Sequence, residues 1–193
     1  TPEGMVGNLN FVRDNGVFLF ISFIMFHPFV SEEEILFNLD FIHDIGNSHF
    51  WGTYTSRLRV SPDMAVFQVV RNSGLLGTER KWGEHSYAFA DPNMYRILER
   101  FNRAGRYFHE VDRDLEDVLY KLFYAGSEGR SLYESIRCQI GGTYRHLCGR
   151  LMREEVMSGE FLTLKRHIKS LINLARTYSE DCHPPHGEGK CRR

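Results

Sequence analysis

The chain has 193 residues, enough for one large domain or two small ones, and its 42% hydrophobic and 13% aromatic content is sufficient for a real core. Its 24 Lys and Arg against 25 Asp and Glu leave a formal net charge of −1, which excludes a nucleic-acid-binding reading built on bulk charge. Residues 1–95 hold 6 basic and 11 acidic side chains and residues 96–193 hold 18 and 14, a mild asymmetry that reads as a solvated helical surface.

Asn8–Asn15 reads as the last turns of a helix that stops at Gly16. Val17–Phe26 (VFLFISFIMF) is then an almost unbroken apolar run, the pattern of a parallel strand buried on both faces. It is too short to span a bilayer, and Pro28 follows at once. The segment before it lacks the basic start and small-residue cleavage site of a signal peptide. Ser31-Glu32-Glu33-Glu34 is a capping box, with Val30 placed to staple onto Ile35. Ile35, Leu39 and Ile42 form the inward stripe of a helix that ends at Gly46. His49–Val60 (HFWGTYTSRLRV) reads as a second strand, rich in aromatic and β-branched residues. Strand, loop, capped helix and strand make a βα crossover, which predicts that Val17–Phe26 and about Phe50–Val60 are adjacent parallel strands.

Ser61-Pro62 opens a further helix that runs to Gly74. Residues 77–90 read as a connecting loop rich in glycine, charge and aromatics, and no strand signal follows Val60. Four helices are expected next. Asp91-Pro92 caps the first, with Met94, Ile97, Leu98 and Phe101 inward; the second carries Val111, Leu115, Val118 and Leu122. The third, near Leu132–Met157, is interrupted at Gly141-Gly142, and the fourth covers Phe161–Tyr178. Residues 179–193 (SEDCHPPHGEGKCRR) lack apolar periodicity and read as a disordered tail. Cys182, His183, His186 and Cys191 are of zinc-ligating types, but their irregular spacing in a Pro/Gly-rich terminus fits a solvated tail better, so no metal site is assigned. Cys138 and Cys148 read as buried thiols. Four cysteines with no dense framework make a reducing cytoplasm the default location. The fold class expected is α/β followed by all-α.

Three segments, in this order, are similar to radical S-adenosylmethionine enzymes. Phe26-His27-Pro28-Phe29-Val30-Ser31, followed by Asn38-Leu39-Asp40-Phe41-Ile42, resembles the loop and helix of the family's fifth βα unit. Ser56–Leu76 (SRLRVSPDMAVFQVVRNSGLL) resembles its sixth strand and exit. Tyr87-Ala88-Phe89-Ala90-Asp91-Pro92 is similar to a segment of the cobalamin-binding branch, which continues into a helical extension. The resemblance covers residues 8–100. Phe26 and Phe29 stand in place of the loop glycines common in the family, and Asp63-Met64 in place of a Gly-Thr after the proline.

The resemblance implies that residues 1–76 are the C-terminal part of a (β/α) barrel, joined by 77–90 to a helical module over 91–178. It implies S-adenosylmethionine and a four-iron four-sulfur cluster as cofactors, with cobalamin as an option, and cleavage to a 5′-deoxyadenosyl radical. The Cys-x3-Cys-x2-Cys loop that ligates such a cluster is absent from the chain. The chain is therefore expected to be a C-terminal part of a longer protein, inactive alone, whose chief partner is its own missing N-terminal part. Its substrate, a small molecule or peptide, is not specified, and neither nucleic acid nor membrane is expected as a partner. Phe26, His27 and Pro28 are the candidate cofactor residues: Phe26 and Pro28 match positions on the adenine side of the cofactor, and His27 sits at the strand-end rim where barrel sites gather; core packing, a turn proline and a backbone-bonded loop histidine are the structural alternatives. Ser56, Arg57 and Arg59 are candidate substrate residues. The two arginines lie on one side of the expected strand, where they suit either a carboxylate or phosphate ligand or salt bridges with acids such as Glu32 or Asp40. No Gly-rich phosphate loop, nucleophile elbow or His-Glu-x-x-His is present. A non-catalytic helical interaction module is the rival reading.

Overall fold

The computed structural model describes residues 2–19, 21–154 and 156–182. They are mostly helical, with one small antiparallel sheet. Helix α1 (Pro2–Asp14) ends in a turn whose Gly16 takes φ 85°. Residues 17–19 and 21–25 follow without regular structure, and then come α2 (Glu32–Asp44), α3 (Trp51–Thr55) and α4 (Ala65–Asn72). A hairpin of β1 (Leu76–Glu79) and β2 (His85–Tyr87) leads into the long helices α5 (Asn93–Phe123), α6 (Gly126–Arg153) and α7 (Ser158–Cys182).

The local chemistry of α2 is as its sequence dictates. Ser31 is the N-cap, and its hydroxyl accepts from the Glu34 amide at 3.1 Å. Val30 and Ile35 are both buried, while Ile35, Leu39 and Ile42 face the core. Only half of the capping box closes, because the Glu34 carboxylate turns to His27 instead.

The expected pair of parallel strands is corrected. Residues 17–19 and 21–25 carry no ladder. The two segments pair only near their ends, in one parallel bridge between Phe26 and Arg57. The Phe26 amide donates to Ser56 O at 3.0 Å, and the Leu58 amide to Phe26 O at 2.8 Å. A strand needs partners along its length, and Val17 and Ile24 are about half exposed here. The start of the second expected strand is helix α3. The tertiary fold overrides β-propensity there, because Trp51 and Tyr54 are drawn into the core and a carboxylate from α5 receives the Gly52 amide. The loop over 77–90 holds the hairpin, tied to the chain before it by an antiparallel bridge from His85 to Val60. At its tip the exposed Trp82 adopts φ 70°.

The C-terminal helices pack mutually, α5 against α6 and α7, with α2 seated on α6 and α3 on α5. The two helices expected over 93–123 are one, since Phe101, Ala104, Phe108 and Val111 carry the apolar stripe across the junction. Helix α4 starts later than its Ser-Pro signal, after a turn at Pro62–Met64. Helix α7 continues past Tyr178 to Cys182, and residues 183–193, with the Cys/His tail reading, lie outside the described residues. Cys148 is buried as expected, but Cys138 is exposed.

Helix α6 runs through Gly141-Gly142 without a break. Each glycine weakens a helix by about 1 kcal/mol, a cost that packing outweighs. A Cβ on Gly141 would overlap the buried Ser48 hydroxyl, so this position lets the 47–49 turn sit on α6. Gly141→Ala is expected to destabilise by about 1–3 kcal/mol in denaturant melts. Gly142, with open space around its Cβ position, should accept alanine with a gain of up to about 1 kcal/mol.

Candidate functional site

The predicted residues Ser56, Arg57 and Arg59 come together with the hairpin. They line one cavity of about 750 Å³, whose other wall carries Arg80, Glu84, His85 and Tyr87. Ser56 fixes the floor: its hydroxyl accepts from the Met25 amide at 3.2 Å and donates toward Phe23 O and Thr53 O. This pins the end of the apolar segment to the residue before Arg57.

The guanidinium of Arg57 lies over the Tyr87 ring at 4.7 Å and the Phe89 ring at 5.6 Å, a cation–π seat that holds the charge in place. Its Nε is buried and has no hydrogen-bond partner among the described residues. Burial pushes the Tyr87 phenol up. It therefore stays protonated and donates to Phe26 O at 3.0 Å. Arg59 is 80% exposed at its side chain and pairs with Glu84 at 3.3 Å. The alternative salt bridges to Glu32 and Asp40 do not form: Glu32 accepts from Asn93 and Asp40 pairs with Arg145.

The other predicted trio sits at the turn that enters α2. The Phe26 ring is fully buried, 6.2 Å from Phe89 and 5.9 Å from Phe101 between centroids. Pro28 is buried, and its carbonyl accepts from the Ala90 amide at 2.8 Å. His27 is partly exposed. Its Nδ1 accepts from the Phe29 amide at 3.3 Å, so Nε2–H donates to Glu34 Oε1 at 2.8 Å. Phe26 and Pro28 shape this turn, while His27 alone offers side-chain surface.

A second polar centre escaped the sequence reading. Asp112 on α5 lies in the wall of a cavity of about 610 Å³ between α3 and α5. Its carboxylate receives the Gly52 amide at 3.0 Å and the Tyr144 hydroxyl at 3.4 Å, acting as a remote cap for α3. Burial pushes its carboxyl up to about 6 against these hydrogen bonds. The available signal was a charged residue four positions after Phe108, on the edge of the core stripe. His49 is 2% exposed with both ring nitrogens unpartnered. Burial, aided by the Arg137 charge, lowers it to about 3, so the ring is neutral. It follows the polar pair Asn47 and Ser48, a turn that fastens α2 to neighbouring chain: Asn47 Nδ2 donates to Ile21 O at 2.7 Å, and Ser48 O accepts from the Tyr54 hydroxyl at 2.7 Å.

Among the described residues, no group of three or more His, Cys, Asp or Glu is placed to hold a metal ion, and no helix is long and apolar enough to cross a membrane. No protein-family model, curated protein or solved structure matches the chain.

Proposed function

We propose that this chain supplies closing βα units and the helical cap of a radical S-adenosylmethionine enzyme of the cobalamin-binding type, acting in the cytoplasm. The observation that carries the reading is the parallel bridge from Phe26 to Arg57 on either side of α2. Parallel pairing requires such a crossover, and enzymes built on it gather their ligand groups beyond the strand ends. The cavity lined by Ser56, Arg57 and Arg59 begins at that end. The half-exposed apolar residues Val17 and Ile24, before Phe26, fit a segment that takes its other strand partners from elsewhere in the protein.

The iron–sulfur cluster does not fit the described residues. Cys138 is exposed on α6, Cys148 is buried, and no third ligand joins them. Its thiolates would come from outside this chain. The roles left to these residues are positional. His27 stands at the cofactor-side turn, Phe26 and Pro28 set that turn's shape, and Arg57 offers a fixed donor to substrate. The rival reading, a non-catalytic interaction module, draws on the mutual packing of α5, α6 and α7.

The coding sequence upstream of Thr1 separates the two. The enzyme reading expects an in-frame Cys-x3-Cys-x2-Cys roughly a hundred or more residues earlier, because the preceding βα units need about that length. A start codon directly before Thr1 would contradict it.

A further inference from the structure

We infer that the cavity between residues 56–59 and the hairpin is a binding site for a phosphate monoester group of the substrate. Three arginines, Arg57, Arg59 and Arg80, face it against one acid, Glu84, which pairs with Arg59. Two guanidinium charges are left without a carboxylate, matching the charge of a phosphate dianion. Arg80 has no ion-pair partner among the described residues. Arg57 lines the cavity with no carboxylate against its guanidinium among the described residues, and a hydrogen bond between such a cation and a phosphate oxygen is charge-assisted and stronger than a neutral one. The ring seat on Tyr87 and Phe89 restricts how far this guanidinium can swing, so its donors are organised before a ligand arrives. The same charge disfavours the cationic sulfonium of S-adenosylmethionine, which separates this pocket from the cofactor's. At about 750 Å³ the cavity has room for more of a substrate than the phosphate alone.

The inference rests on the enzyme reading for the word substrate, but its test needs neither cluster nor cofactor. The full chain is titrated with inorganic phosphate while the arginine Nε–Hε NMR signals are followed. The Arg57 signal should move saturably, with a Kd of a few millimolar or below. Arg80→Gln changes an exposed side chain and should weaken binding about tenfold, as expected for one charge-assisted contact. Glu84→Gln should tighten it by removing the competing carboxylate. Acetate should bind at least about tenfold more weakly than phosphate. Absence of saturable movement, equal affinity for acetate, or an Arg80→Gln chain that binds unchanged would overturn the site. Phosphate binding by a chain whose complete protein makes no 5′-deoxyadenosine would overturn the enzyme reading alone, and the converse result would overturn the phosphate site alone.

Discussion

Trp51→Ala is expected to lower stability by about 3–5 kcal/mol, the range for removing a large aromatic from a packed core. Trp51 is 2% exposed and touches four rings: Tyr54 at 5.5 Å, Phe101 at 6.2 Å, Phe108 at 5.1 Å and Tyr144 at 5.2 Å between centroids. Its Nε1–H donates to Phe101 O at 3.2 Å, which ties α3 to α5. Helix α5 is built to admit it, since a Cβ on Gly105 would sit 2.9 Å from that same nitrogen. Alanine would leave a cavity at the junction of α3, α5 and α6, and a five-residue helix has no local stability to resist its opening. Thermal melts should show Tm falling by about 10 °C or more for a chain of this size. Trp51→Phe keeps part of the packing and should fall by less. A loss below about 1 kcal/mol for alanine would show that α3 is not held by this side chain.

Asp112→Asn is expected to stabilise the protein at pH 7.5 by an amount on the order of 2–3 kcal/mol, and to make its stability fall more steeply than the wild type's as pH drops from 6 to 4, where the His49 loss is no longer opposed. The folded carboxyl titrates near 6 and the unfolded one near 3.8. The folded state therefore holds its proton more tightly. That contribution is fully present below the unfolded value and is lost as pH rises through about 6. Asparagine reproduces the protonated form, with its oxygen accepting from the Gly52 amide and its NH2 group donating to the Tyr144 hydroxyl. His49 works in the opposite direction. Its folded value of about 3 lies below the usual 6.5, so its contribution is present above 6.5 and is lost as pH falls toward 3. The His49 shift is the larger, so the wild type should lose stability on acidification even though Asp112 opposes that loss. The informative quantity is the difference between wild type and Asp112→Asn across that window. A difference that does not change with pH would show that Asp112 is not buried in the ionised form.

The parts legible in the sequence were those fixed by local chemistry. Ser31 as a cap, Val30 and Ile35 as a staple, and the stripe of Ile35, Leu39 and Ile42 all depend on neighbours within a turn or two. The core stripe of α5 was legible for the same reason, although the join between its halves was not, since continuity there depends on Phe108 meeting Trp51 and Tyr144. The segment from His49 to Val60 misled because its aromatic and β-branched residues suit a strand and a buried helical turn equally. What decides is Asp112, sixty residues away. In the candidate site, the arginines at 57 and 59 were visible as a spaced pair. Arg80, Glu84 and Tyr87 were not, because the hairpin that presents them is paired across irregular register between Leu76 and Glu79 and shows no clean alternation.

The most direct measurement is made on the protein expressed from the whole coding region that contains this chain. It is reconstituted anaerobically with iron and sulfide, reduced, and assayed for 5′-deoxyadenosine from S-adenosylmethionine. The account predicts a cluster absorption band and 5′-deoxyadenosine from that protein, and neither from residues 1–193 alone. A whole protein that assembles no cluster and cleaves no S-adenosylmethionine, or residues 1–193 turning over by themselves, would contradict it.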